Sequence, residues 1–178
     1  MKYFLSTKFL ENTCTLDPVS IAIVSEDDRE FYGEYLEYDQ AKASLVEVEF
    51  IISKLTWAKG PDRHFTNPWK EKDDRGDIRV VGSRENIAIG IREFLGDDPC
   101  PEFWGYECAY DWLVLCSTFG GRNRVPEGWP SLCLDLKQKA ITIGNLAIDE
   151  TQRTDEFFTA LIEAKWCQMF HIYLMAKM

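Results

Sequence analysis

The sequence predicts an α/β domain built on a mixed sheet flanked by helices. Three β-rich runs follow one another near the N-terminus, joined by short connections. After them, segments of helical periodicity alternate with further β-like runs, the pattern of a layered α/β architecture. The chain has 178 residues, enough to bury a core and too few for two comfortable domains. It reads as one domain over 1–178.

Lys2–Leu10 alternates strictly. Tyr3, Leu5, Thr7 and Phe9 point one way and Phe4, Ser6, Lys8 and Leu10 the other, as side chains two apart on a strand must. Val19–Ser25 follows Pro18, and its continuous apolarity predicts burial on both faces. The polar turn Glu26-Asp27-Asp28 leads to a third strand, Glu30–Tyr35, so the second and third strands should form a hairpin. Gln40–Leu55 predicts a helix, with Ala41, Leu45, Val48 and Ile52 spaced 4, 3 and 4 apart. Thr56–Gly82 carries Pro61, Pro68, Gly60, Gly76 and the charged run Lys70–Asp77, and reads as a long loop with Trp57 and Trp69 as anchors.

Ser83 is a suitable N-cap for a helix reaching Leu95, with Ile87, Ile91 and Leu95 on one face and Gly96 as the stop. Glu102–Glu107 reads as a strand, Tyr110–Phe119 as a helix closed by Gly120-Gly121, Arg122–Pro130 as a loop and Ser131–Leu136 as a strand. The last helix runs to about Ala176, with Thr154 as N-cap and Asp155 and Glu156 in the first turn, where the helix dipole favours acids. The order β-β-β-α-(α)-β-α-β-α fits a ribonuclease H-like three-layer fold, although periodicity alone does not separate it from other three-layer folds.

Hydrophobic residues make up 46% and charged residues 28% of the chain, which excludes wholesale disorder. No apolar run approaches the ~20 residues of a membrane span, and the opening MKYFLSTKFLEN lacks the apolar stretch of a signal peptide. The net charge of −10 argues against a protein that coats DNA nonspecifically. It leaves room for an enzyme with a local basic groove or for a protein-binding surface. The six cysteines Cys14, Cys100, Cys108, Cys116, Cys133 and Cys167 form no CxxC pair, and His64 and His171 have no cysteine at zinc-finger spacing. They read as free, mostly buried thiols, as expected of a cytoplasmic protein.

Several segments together resemble a known group. EFWGYECAYDWLVLCSTFGG, VPEGWPSLCLDLKQ and ALIEAKWCQMFHIYL are similar to three blocks of the small bacterial and phage 3′–5′ exoribonucleases, ribonuclease T-like DEDDh nucleases of the ribonuclease H-like superfamily. KYFLSTKFLEN and LDPVSIAIVSEDDREFYGEY resemble their first three strands. The resemblance spans nearly the whole chain in the family's order. It implies a site in which four carboxylates hold two Mg²⁺ or Mn²⁺ ions about 3.5–4 Å apart, activating water against a phosphodiester. It also implies a histidine general base and, in many members, a homodimer.

The matching positions of this chain depart from that pattern. The first-strand DxE pair falls on Ser6 and Lys8. The third acid is Asp111, in Ala-Tyr-Asp-Trp. Aligning ALIEAKW puts the histidine position at Phe158 and the fourth acid at Glu163. A second alignment over Gly144–Asp149 keeps an aspartate and also lacks a histidine. Four carboxylates carry a formal charge of −4, whereas Ser6, Lys8, Asp111 and Glu163 together carry −1. A lysine–carboxylate pair at 4 Å gains roughly 4 kcal/mol of raw Coulomb energy at an effective dielectric near 20. The Lys8 ammonium is therefore expected where a metal would sit, bridging Asp111 and Glu163.

Structural roles compete with each of these assignments. Asp17 is the nearest acid to a shifted DxE pair but has no acidic partner two residues on. Asp111 could serve only as a helix cap, Phe158 as core and Glu163 as a solvated helix residue. His171, about 12 Å along the helix axis from Glu163, reads as an ordinary helix residue, and His64 is the remaining candidate base. The six tryptophans read as core or loop anchors ahead of base-stacking platforms.

The leading expectation is a catalytically degenerate exoribonuclease-like protein. It would need no cofactor and act by binding a nucleic-acid 3′ end, a nucleotide or a protein partner, with no membrane role. The alternatives are an active exoribonuclease that uses Mg²⁺ or Mn²⁺ on Asp111 and Glu163 and recruits Asp135 or Asp149, and an acidic inhibitor that imitates nucleic acid.

Overall fold

The computed structural model describes residues 1–12, 15–56, 68–144 and 159–178. Its elements in chain order are β1 (Lys2–Asn12), β2 (Thr15–Ser25), β3 (Glu30–Tyr35), α1 (Leu45–Phe50), β4 (Trp69–Lys72), β5 (Ile78–Gly82), α2 (Arg84–Leu95), β6 (Glu102–Gly105), α3 (Ala109–Thr118), β7 (Leu134–Asp135), α4 (Leu136–Thr142) and α5 (Ala160–Met175). The seven strands form one sheet in the order β4-β5-β3-β2-β1-β6-β7. β1, β2 and β3 run antiparallel in turn, whereas β5, β6 and β7 join parallel to β3, β1 and β6 respectively. A mixed sheet with helices on both faces is the architecture expected of a ribonuclease H-like three-layer fold.

Alternation along β1 decides what each face buries. Tyr3 and Leu5 join Ile21, Ile23, Phe31 and Val80 in a core covered by Ile87, Ile91 and Phe94 of α2 and by Trp112 and Leu115 of α3. Phe4 faces the other way, with Ala22, Val24 and Trp104, under Leu136 and Ala140 of α4 and Ala164, Cys167, Phe170 and Leu174 of α5. A smaller cluster of Leu10, Val19, Tyr38, Ile52, Leu55 and Val81 closes one end. The expected two-faced burial of the second strand holds, since Val19, Ile21, Ala22, Ile23 and Val24 are all buried.

The caps of α2 fall where the sequence places them. Ser83 Oγ accepts from the Asn86 amide while Asn86 Oδ1 accepts from the Ser83 amide, satisfying two otherwise orphaned donors. Gly96 ends the helix at φ 61°. Midway along α2, Gly90 lies so close to the sheet that a Cβ there would sit 2.7 Å from Val80 Cγ2.

Four expectations need correction. Gln40–Leu55 is not one helix but a 3₁₀ turn (Gln40–Lys42), α1 and a second 3₁₀ turn (Ile52–Lys54). Ala43 is extended, and Ser44 forms a capping box with Glu47 that starts a new helix. Leu45 and Val48 are accordingly exposed, and of the predicted stripe Ile52 is the buried member. The predicted loop 56–82 contains β4 and β5, an antiparallel hairpin turned at Asp73–Asp77. Lys70, Glu71, Lys72, Asp73, Asp74 and Arg75 are exposed as expected, whereas Asp77 is half-buried and accepts from the Glu30 amide; Trp57 and His64 lie outside the described residues. The strand expected over Ser131–Leu136 is reduced to two residues, because the Asp135 carboxylate accepts from the amides of Lys137 and Gln138 and starts α4 there. Finally, the N-cap of α5 is Thr159, while Thr154 lies outside the described residues.

Candidate active site

β1 carries the site across its pleat. Ser6 and Lys8 share the α5 face, and Thr7 lies on the α3 face. Immediately after Lys8 the β1–β2 register slips, with Lys8 opposite Ser20 and Phe9 opposite Pro18. Pro18 has no N–H to contribute to the ladder, so a bulge falls there, a common device for re-aiming side chains beside a site.

On the α5 face, Glu163 lies in the first turn of its helix. Its Oε2 accepts from Ser6 Oγ at 2.8 Å and from Lys8 Nζ at 2.5 Å. The ammonium and carboxylate side chains are only 16% and 19% exposed, so this pair is shielded from solvent far more than an ordinary surface ion pair. On the α3 face, Asp111 Oδ1 accepts from the Thr7 amide at 2.7 Å and from Thr7 Oγ1 at 2.6 Å. Burial pushes the Asp111 carboxyl up to about 6, and the negative charge of Glu163 pushes the same way, while the Thr7 hydrogen bonds and the Lys8 charge oppose the shift.

The bridging expectation is therefore corrected. Lys8 pairs with Glu163, and Asp111 is held by Thr7 instead. The two carboxylates reach β1 from opposite faces of the sheet, which the alternation of Ser6, Thr7 and Lys8 enforces. Thr7 is the functional-site residue that sequence reasoning missed. The available signal was its place on the Tyr3–Leu5 face, against which the helix of Asp111 packs.

The competing structural roles are also settled in part. Asp111 is not a helix cap: Cys108 holds the N-cap position of α3, and Asp111 lies inside the first turn. Asp17 is engaged elsewhere, accepting from the Asp39 amide and pairing with Arg84. Asp135 caps α4 and also accepts from the Cys108 amide at 3.1 Å. His171 is buried between the rings of Phe4 and Trp104, and burial lowers its pKa. Trp104, Trp112 and Trp166 are buried and Trp129 packs against the core. Phe158 and Asp149 lie outside the described residues. Among the described residues no group of three or more histidine, cysteine and carboxylate side chains is placed to hold a metal ion, and no helix is long and apolar enough to cross a membrane.

This geometry grips one carboxylate with an ammonium and a hydroxyl, and the other with a hydroxyl and a backbone amide. Against a metal it offers Asp111 and Glu163, the latter already engaged by a fixed positive charge, so the donor set does not fit a pair of dications.

The chain matches no family model. It is similar to the 3′–5′ exoribonuclease of Mycobacterium tuberculosis, represented by sequences from the CDC 1551 / Oshkosh and H37Rv strains. Each is 29% identical over 140 residues, which is 78% of this chain and 73% of the relative.

Proposed function

We propose that this exoribonuclease-like protein is catalytically degenerate and acts by binding. The single observation that carries the reading is the Lys8 ammonium seated on Glu163, where the resemblance calls for an acidic metal ligand facing another. Two-metal hydrolysis needs dense negative charge to assemble both ions. Here one acid position is a hydroxyl, one is a cation, and the remaining two carboxylates are bound by β1 itself. Asp135, the described candidate for a substitute ligand, has its carboxylate taken up by three backbone amides.

What survives of the ancestral arrangement is the scaffold. The ligand classes that fit it are a nucleic-acid 3′ end, a nucleotide, or a protein partner drawn to a chain of net charge −10. Homodimer formation is part of the same proposal and rests on the family resemblance.

The test is digestion of single-stranded RNA labelled at its 5′ end, with Mg²⁺ and with Mn²⁺. The expected result is RNA of unchanged length. Stepwise shortening from the 3′ end that stops on chelation, and that is lost in Asp111→Ala, would establish the active-enzyme alternative instead.

A further inference from the structure

Beside the carboxylate site, and unused by the reading above, two thiols share one backbone acceptor. Cys108 is the N-cap residue of α3, one turn before Asp111, and is buried. Cys133 directly precedes β7 and is half-buried. Both sulfurs point at one acceptor, the Leu134 carbonyl, Cys108 Sγ at 3.5 Å and Cys133 Sγ at 3.8 Å. Cys108 is seated so tightly on β6 that a Cβ on Gly105 would lie 2.6 Å from its own Cβ.

We propose that Cys108 and Cys133 are an oxidisable dithiol, and that a small-molecule disulfide converts them to an intramolecular disulfide that ties the segment before β7 to the N-terminus of α3. Cys133 is the more accessible partner and its thiolate attacks first. It forms a mixed disulfide and expels one small thiol. The Cys108 sulfur, as thiolate, then attacks Cys133 Sγ and expels the second. The two cysteines lose two protons and two electrons in total, and one small disulfide becomes two thiols.

The local structure suits the pair to this role. β7 is a two-residue strand at the sheet edge, and Ser131 and Leu132 before it are exposed. The Cys133 side can therefore move to bonding distance while Cys108 stays fixed in the core.

The experiment equilibrates the native protein in glutathione buffers of increasing disulfide fraction, quenches with acid, and reads intact mass and peptide maps. The expected product has lost two hydrogens and links the Cys108 and Cys133 peptides. In Cys108→Ser the reaction should stop at a glutathione adduct on Cys133, and in Cys133→Ser no link to Cys108 should form. Native protein that keeps both thiols at the oxidised end of the series would overturn the proposal. So would a two-hydrogen loss that persists in Cys133→Ser.

Discussion

The Lys8 ammonium lies 2.5 Å from the Glu163 carboxylate, joining the first strand to the last helix across 155 positions of sequence. Ser6 donates to the same oxygen. Ser6 and Lys8, which the resemblance aligns with metal-ligand positions, therefore converge on one carboxylate. Position for position, the protein meets the need for opposite charge around Glu163 with a side chain.

That pairing predicts the behaviour of Lys8→Glu. The change removes the cation and gathers three carboxylates around the end of β1 without a counter-charge. A loss of roughly 2–4 kcal/mol is expected at neutral pH, read as a lower melting temperature. Mg²⁺ or Mn²⁺ should restore part of it. A variant more stable than the parent in metal-free buffer would remove the counter-charge role from Lys8.

Asp111 predicts a pH dependence of opposite sign to that of an ordinary paired acid. Its folded pKa of about 6 lies above the usual value of 3.8, so the folded chain holds this proton more tightly than the unfolded chain. Its contribution is most favourable below pH ~4 and is lost as pH rises through about 6. Above that range the ionised carboxyl costs roughly 1–3 kcal/mol, with the lower end allowing for its partial contact with solvent. Asp111→Asn should therefore be more stable than the parent at pH 8 and gain nothing at pH 4. Denaturant melts at the two pH values check the difference, and equal gains at both would locate the effect outside the carboxyl's ionisation.

Restoring the family pattern is the direct test of ancestry. The combined substitutions Ser6→Asp, Lys8→Glu, Phe158→His and Glu163→Asp should raise Mn²⁺ affinity at least tenfold over the parent, about 1.4 kcal/mol or more. Isothermal titration calorimetry measures it. An unchanged affinity in a folded variant would count against these four positions as the former ligand set.

Gly90→Ala tests how closely α2 sits on the sheet. The added methyl would meet Val80 and Phe31, and the expected cost of overpacking is roughly 1–3 kcal/mol despite the better helix propensity of alanine. A thermal melt with an unchanged midpoint would show that α2 can shift outward freely.

The elements legible in the sequence are those whose local chemistry and burial agree. Ser83, the apolar stripe of Ile87, Ile91 and Leu95, and Gly96 define both ends and the inner face of α2. The unbroken apolar run of β2 matches its place in the middle of the sheet. The rest was hidden for physical reasons. Beyond the half-buried Trp69, β4 consists of the exposed charged residues Lys70, Glu71 and Lys72, so it carries no hydrophobic alternation. The 4-3-4 spacing of Ala41, Leu45, Val48 and Ile52 suggests a helix, but Ser44 offers the backbone a capping box that interrupts it. At the site, the resemblance singles out Ser6, Lys8, Asp111 and Glu163 as positions to inspect, and the Lys8–Glu163 contact follows from charge. The division of the two acids between opposite faces required the strand's alternation to be applied to Thr7 as well.

The two ends of the sheet bear on self-association. Open strand edges invite another molecule to add its own backbone. Here β4 presents Lys70, Glu71 and Lys72 to solvent, charges that would have to lose water before a foreign strand could dock. At the far end, β7 offers only two residues of ladder, too little to template a lasting intermolecular pairing. Among the described residues, continuous sheets shared between molecules, the route to fibrous aggregates, are therefore disfavoured at both margins.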